Sequence, residues 1–302
     1  MITISVITSL FDCKKYLNGY FDEVDKIVNK EECEFILLHN APKTEELLII
    51  GSRINGKPWF RHVLIEEREG LYSTWNRGVK LSQGEYCAIW NVDDIREPES
   101  LLIQKLALEK NPGAAIAYGD IWGTDTYGKF KQRFYNHPTW EENKNAYMYR
   151  HLIGCFPLWR KSIHTQIFYF EEQFKLVADL DFQIRVARVS TIQKIGKPDG
   201  YYLDYSDHKL SSNTDLQIIE RNVLNLRYAN FDLVNLMYIY PAIKNYNLFG
   251  VKNESEYRSI KAIFPGYRFY FITRLPLIFI SIIKFPMDLA RVLYHKFLRN
   301  YL

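Results

Sequence analysis

The stretch Glu85-Tyr-Cys-Ala-Ile-Trp-Asn-Val-Asp-Asp94 decides the reading of this chain. A short apolar run stops abruptly at Asn91, Asp93 and Asp94. Cys, Ala, Ile and aromatics in succession mark a buried strand, and buried strands do not normally end in clustered carboxylates by accident. At the carboxyl end of a strand in an open α/β sheet, such a cluster sits where ligands bind. Two carboxylates plus an amide oxygen suit a hard cation, Mg2+ or Mn2+, which in turn can hold a diphosphate. The same residues also fit a solvated acidic turn, with Asp94 or Glu97 helping to start a helix after Pro98.

Working outward, Thr3 to Ser9 alternates Thr/Ser with Ile/Val, the period of a strand. Leu17, Phe21, Val24 and Val28 recur every three or four residues and predict a helix from Tyr16 to Val28. Phe35 to Leu38 predicts a second strand, closed by the polar turn His39-Asn-Ala-Pro42. Helix follows over Thr44 to Ile54, strand over Arg61 to Ile65, and helix over Leu71 to Leu81, before the strand into Asp93. This β-α-β-α-β-α-β order predicts an α/β fold, a mostly parallel sheet flanked by helices on both faces. Beyond Asp94, Glu99 to Glu109 reads as helix, Ala114 to Tyr118 as strand, and Asp179 to Val189 as helix. Residues 121–150 are rich in Tyr and Gly without clear period, and read as strands and loops over the site.

The 302 residues suffice for one large α/β domain and an appendage. A hydrophobic share of 47% with 25% charged residues is that of a folded globular protein. The net charge of +4 is too small to argue for nucleic acid, and no nucleic-acid partner is expected. Cys13, Cys33, Cys87 and Cys155 lie far apart and form no CxxC pair, so they read as reduced, packed thiols. The amino terminus MITISVITSLFD reads as a first strand rather than a signal peptide, and a cytoplasmic location is expected. From about residue 216 the composition shifts toward Asn, Tyr and Leu, which divides the chain into residues 1–215 and a helical C-terminal region, 216–302.

From Tyr267 to Leu302 there are six Lys/Arg against one Asp. The longest uncharged run there, Leu275 to Ile283, is far below the ~20 residues a membrane-spanning helix needs. After Pro286, Leu289, Leu293 and Phe297 form one column and Arg291, His295 and Arg299 another, roughly 200° apart on a helix. Such a basic amphipathic helix suits an anionic membrane surface, which would hold the protein peripherally on the inner face of the cell membrane. Docking on the core, or on a second copy in a homo-oligomer, is the alternative.

The run EREGLYSTWNRGVKLSQGEYCAIWNVDD places Gly70, Leu71, Tyr72, Asn76, Gly78, Gly84, Glu85, Tyr86, Asn91, Asp93 and Asp94 in a particular order. In that order it resembles the core of family 2 glycosyltransferases of the GT-A (Rossmann-like) fold, in particular bacterial enzymes of lipopolysaccharide and capsule biosynthesis. Ala115 to Ile121, AIAYGDI, resembles the strand and turn that follow in this group, and the resemblance covers about residues 3 to 213. It implies that Thr8 and Ser9 line the nucleobase and ribose pocket, and that Asn76 and Asn91 contact the donor. It implies Asp93 as the ligand of Mn2+ or Mg2+ and Asp94 as an acceptor-side contact. Val177 to Arg188, VADLDFQIRVAR, resembles the family's acidic helix, which makes Asp179 the candidate base; Asp181 and Arg185 would pair four residues apart. In YSDHKLSS, His208 stands where relatives carry a His on the metal or diphosphate. Trp159, after Gly154-Cys-Phe-Pro157, matches the stretch beneath the acceptor, where an aromatic can stack on a sugar. Each has a plainer reading: a surface Asn76, a helix-capping Asp179, an exposed His208 and a core Trp159.

One departure concerns the base. Relatives commonly end the second strand in Asp-Asp or Asp-Asn, whereas here it ends His39-Asn40. Asn40 can still bond a base edge, and uridine is the expected base. The resemblance thus implies an inverting, metal-dependent hexosyltransferase. It would move a sugar from a nucleotide-diphosphate donor, UDP by expectation, to a lipid-linked or polysaccharide acceptor in cell-surface glycan biosynthesis. Two rivals stand beside it. A nucleotidyltransferase would also use carboxylates and a metal, but Leu10-Phe-Asp-Cys13 lacks its Gly- and base-rich loop. A non-catalytic membrane-surface scaffold would have no need of Asp93 and Asp179.

Overall fold

The computed structural model describes residues 1–204, 213–230, 236–253 and 256–264, with scattered positions from 266 to 294. It opens with β1 (Ile4–Leu10), α1 (Lys14–Val24), β2 (Cys33–Asn40), α2 (Thr44–Ile54), β3 (Phe60–Ile65), α3 (Leu71–Leu81) and β4 (Tyr86–Ile89). Next come β5 (Ile95–Arg96), α4 (Ser100–Lys110), β6 (Ala114–Tyr118), β7 (Ile121–Thr124), β8 (Arg133–Tyr135), α5 (Trp140–Asn143), β9 (Leu158–Arg160) and α6 (His164–Ile167). The chain continues through α7 (Ala178–Ala187), β10 (Thr191–Lys194), β11 (Gly200–Leu203), α8 (Thr214–Arg227), α9 (Ile239–Asn245), β12 (Gly250–Asn253), β13 (Glu256–Ser259) and α10 (Ile260–Ile263).

The main sheet runs β10-β6-β9-β4-β1-β2-β3. β1 pairs in parallel with both β2 and β4, and β2 with β3. Because both faces are covered, β1, β2 and β4 are buried almost throughout rather than alternately. Period two decides which side each residue joins: Ile7, Ile36 and Leu38 enter one hydrophobic cluster, and Ile4, Val6, Phe35 and Leu37 the other. α3 lies against β1 and β2 through Gly78, where a Cβ would come within 2.5 Å of Ile7. α2, α3 and β6 fall on the residues the pattern predicts.

Two features depart from a simple parallel sheet. β9 is inserted antiparallel between β4 and β6. A second sheet, β5-β11-β7-β8, stands beside the first and takes up the segment just after Asp94.

The C-terminal elements add another departure from the expected run of helix over 216–250, because β12 and β13 form a hairpin at its end. Val223, Leu224, Ala242, Val251, Ile260 and Tyr267 share one hydrophobic cluster with Leu180 and Phe182 of α7. No helix of the described residues is long and apolar enough to cross a membrane. Arg291, Leu293, His295, Phe297 and Arg299 of the expected amphipathic tail lie outside the described residues.

Candidate active site

The strand order reverses at β1: β2 and β3 lie on one side, and β4 on the other. The carboxyl ends of β1 and β4 therefore frame the crevice where open α/β sheets bind ligands. Ser9, near the end of β1, is half-buried at this crevice. Thr8 is fully buried, with its hydroxyl 2.8 Å from the Tyr20 hydroxyl. Just past the strand, Phe11 is 40% exposed and carries the Arg68 guanidinium 3.7 Å from its ring centre. Sequence alone does not reveal this pair, because Arg68 is distant from Phe11 in the chain and is not among the matched positions of its run.

The end of β2 explains the departure at His39. Its ring is buried, with Nε2 3.1 Å from Glu46 Oε2 and Nδ1 3.2 Å from His62 Nε2. Burial, aided by His39, pushes the His62 imidazole down to about 4. Glu46 also accepts from the backbone of Cys13 at 2.6 Å, so His39 belongs to a brace between α2 and the β1–α1 turn. Asn40 is buried as well; its amide donates to Thr74 Oγ1 at 3.0 Å and its oxygen accepts from Glu69 N at 3.1 Å. Asn40 thus also clamps the segment before α3.

Asn76 is held in the same way. It is fully buried on the inner face of α3, donates to Phe170 O (2.9 Å) and Glu172 Oε1 (2.8 Å), and accepts from Phe170 N (2.9 Å). These bonds fix the 170–172 segment and leave no amide hydrogen for a donor.

At the end of β4 the acidic cluster divides. Asp94 is 1% exposed; one carboxylate oxygen accepts from Leu203 N at 3.0 Å and the other from Asn91 Nδ2 at 3.2 Å. Its own carbonyl accepts from the Trp90 indole at 3.0 Å. Asp94 therefore joins the turn to β11, which corrects its assignment to the acceptor. Asp93 and Asn91 are half-buried. Burial raises the phenols of Tyr127 and Tyr202, and the charges of Asp93 and Asp94 add to that shift, which places both rings in the field of this turn. Among the described residues no three His, Cys, Asp or Glu side chains gather as a ready cation cage. His208, the expected companion of Asp93, lies outside the described residues.

The second half of the site is the start of α7. Asp179 is one-third exposed; its Oδ1 accepts from Leu180 N at 2.7 Å and lies 3.5 Å from the Tyr72 hydroxyl. Its Oδ2 lies 3.6 Å from His151 Nε2. Asp181, two residues on, is fully buried and bonded to Arg185 Nε (2.8 Å), Arg227 NH1 (2.9 Å) and the Tyr228 hydroxyl (2.7 Å). Burial alone would raise the Asp181 carboxyl, yet Arg185 and Arg227 hold it below its ordinary value. Arg227 also reaches Glu171 at 3.1 Å, closing a buried network that ties α8 to α7. The expected Asp181–Arg185 pair is present, while its partners on α8 were invisible to local spacing.

Trp159 is not an acceptor platform. It is fully buried between Phe170 and Phe182, and its indole donates to His164 Nε2 at 2.9 Å. His164 turns Nδ1 to Phe168 O at 3.1 Å, and burial holds its imidazole down at about 3.

A mostly parallel sheet with its crevice at β1 and β4 and an acidic turn beyond β4 agrees with what sequence comparison finds. Residues 5–169, more than half of the chain, match the family model described as glycosyl transferase family 2. The chain belongs to that family.

Solved structures share the fold of this glycosyltransferase. S. aureus TarS 1–349 in complex with UDP-GlcNAc superposes with a TM-score of 0.61 at 18% identity, covering 74% of this chain and 66% of that one. Against the longer S. aureus TarS the TM-score is 0.57 at 15% identity, and this chain spans 54% of its length. The mannosyltransferase PcManGT from Pyrobaculum calidifontis, in complex with GDP-Man and Mn2+, gives 0.53 at 10% identity over 98% of this chain and 79% of that one. No curated protein sequence matches the chain.

Proposed function

We propose that this glycosyltransferase moves a sugar from a nucleotide-diphosphate donor to an acceptor hydroxyl with inversion at the anomeric carbon. One observation carries the reading. Asp94 is committed to the fold, while its neighbour Asp93 stands half-buried at the carboxyl end of β4, beside β1. A single carboxylate completed by phosphate oxygens is an ordinary ligand set for Mg2+ or Mn2+. The oxygen chemistry of Asp93 fits such a cation, with His208 proposed as a further ligand. Bound there, the ion supplies charge neutralisation for the departing diphosphate.

The chain's own residues do the rest. Phe11 with Arg68 gives an aromatic and cationic platform for a nucleobase, and Ser9 and Asn91 border the ribose side. Asp179 takes the proton of the acceptor hydroxyl while that oxygen attacks the anomeric carbon opposite the leaving group. UDP is the proposed nucleotide, supported by the family resemblance and by the UDP-GlcNAc complex of TarS. A lipid-linked or polysaccharide acceptor is proposed because the basic tail would hold the enzyme at an anionic membrane surface.

A thermal-shift screen with UDP- and GDP-sugars, each with and without Mn2+, tests the donor reading. A UDP-sugar that stabilises the protein only with Mn2+ supports it. Stabilisation by GDP-sugars alone would overturn the base, and equal shifts without the ion would overturn the metal. The tail is tested by cutting after Tyr267, which is itself part of the core. Unchanged binding to anionic liposomes by the shortened protein would sink the membrane reading.

A further inference from the structure

His151 faces Asp179 from a loop that no family motif covers. Its Nε2 is buried and makes no hydrogen bond, although the side chain as a whole is one-third exposed. The nearest carboxylate oxygen is Asp179 Oδ2 at 3.6 Å, slightly too far for a hydrogen bond. Oδ1 of the same carboxylate is already engaged by Leu180 N, so Oδ2 is the oxygen turned to His151.

The loop is held by the same helix that carries the carboxylate. Gln183, fully buried on α7, accepts from Leu152 N (2.8 Å) and Ile153 N (3.2 Å). Its amide donates to Tyr147 O (2.8 Å) and Arg150 O (2.7 Å). Gln183 lies four residues after Asp179, hence on the same side of the helix. Every hydrogen-bonding group of Gln183 is thus used to clamp the residues on either side of His151. The distance between imidazole and carboxylate is set by one rigid element, as a functional pair requires.

We infer that His151 is a positioning residue for Asp179. Its Nε2–H donates to Oδ2 when substrate binding closes the 3.6 Å gap, as catalytic hydrogen bonds commonly tighten on complex formation. The carboxylate is thereby fixed with its remaining lone pair toward the acceptor hydroxyl. This inference rests on the proposal that Asp179 is the base. Other titratable or charged groups facing the pair are Tyr72 of α3, Arg221 of α8 and His137, with Glu220 next to Tyr72 and Arg150 next to Arg221 and His137.

Turnover is read as UDP or GDP release from UDP-GlcNAc, UDP-glucose, UDP-galactose and GDP-mannose with Mn2+, comparing wild type with His151→Ala, His151→Gln and Asp179→Asn. His151→Ala should lower kcat roughly tenfold to a hundredfold, the range for removing an orienting partner, with donor KM unchanged. His151→Gln, which keeps a donor in reach of Oδ2, should recover most of that loss. A dead Asp179→Asn beside a fully active His151→Ala would overturn the inference and leave the base assignment standing. A fully active Asp179→Asn would overturn both. Equal loss in the Ala and Gln variants, or a parallel rise in donor KM, would mark a merely structural role.

A measurement without substrate keeps the inference testable if none of these donors is turned over. Ring-nitrogen NMR of the full chain should show the His151 signals moving in Asp179→Asn. Their indifference to that change would overturn the inference.

Discussion

The end of β4 and the start of α7 each hold two carboxylates close together in sequence, and each assigns them opposite tasks. Asp94 and Asp181 are buried, whereas Asp93 and Asp179 are only partly buried. The two buried acids are held differently. Asp94 is bonded to a backbone amide and a neighbouring side-chain amide. Asp181 sits among two guanidinium groups and a phenol. The difference teaches that a buried acid can fix the backbone that carries the more exposed acid beside it. At β4 it fixes a turn against β11; at α7 it locks a whole helix to α8.

The comparison is broken most severely by removing the open member of either pair. Asp93→Ala should lower sugar transfer by about a thousandfold or more, and Asp179→Asn by roughly a hundredfold to ten-thousandfold. Donor binding, followed by thermal shift, should be lost only in the first. Retained donor binding by Asp93→Ala would undo the division of labour at β4.

Next comes the ionic network. Arg227→Met leaves Asp181 and Glu171 buried with one cation fewer, which should cost about 3–5 kcal/mol in urea unfolding. Asp94→Ala should cost less, about 1–3 kcal/mol, because it deserts one buried amide rather than a charge. Its turnover should stay within about tenfold of wild type, since the buried acid touches no reacting atom. A collapse of activity equal to that of Asp93→Ala would return Asp94 to the chemistry.

The smallest effect is on pH dependence. His164 and His62 are held neutral down to about 3 and about 4, against an ordinary 6.5. Between those values and 6.5 the unfolded chain binds protons that the folded chain refuses, so stability falls as pH drops through this window. Melting temperatures measured from pH 7 to pH 5 should therefore decline. The slope should be shallower in His164→Gln, whose amide oxygen can still accept the Trp159 indole.

The donor half was legible because its signals are local. α2 and α3 declare themselves by apolar spacing, and the crevice by a strand that ends in acids. Asp93 and Asp179 remain proposals, and the motif reading left out the protein partners of Thr8, Asn40, Asn76, Asp94 and Trp159. In each of those five the deciding partner lies elsewhere in the chain: Tyr20, Thr74, Phe170, Leu203 and His164. A polar residue in a motif looks the same in sequence whether it faces a ligand or a buried carbonyl. β9 escaped notice because three residues carry too little periodicity, and the β12–β13 hairpin because four-residue strands follow a helical stretch.

The Asp181–Arg227 bond also bears on the order in which the protein can be made. During synthesis α7 emerges well before residue 227, so its buried acid must wait for its second guanidinium. A nascent chain ending near residue 215 would hold the catalytic half without the ion that closes it. α7 should thus settle late, after α8 has left the ribosome. Competence for transfer, on the proposal that Asp179 is the base, would then await α8 rather than arrive with α7.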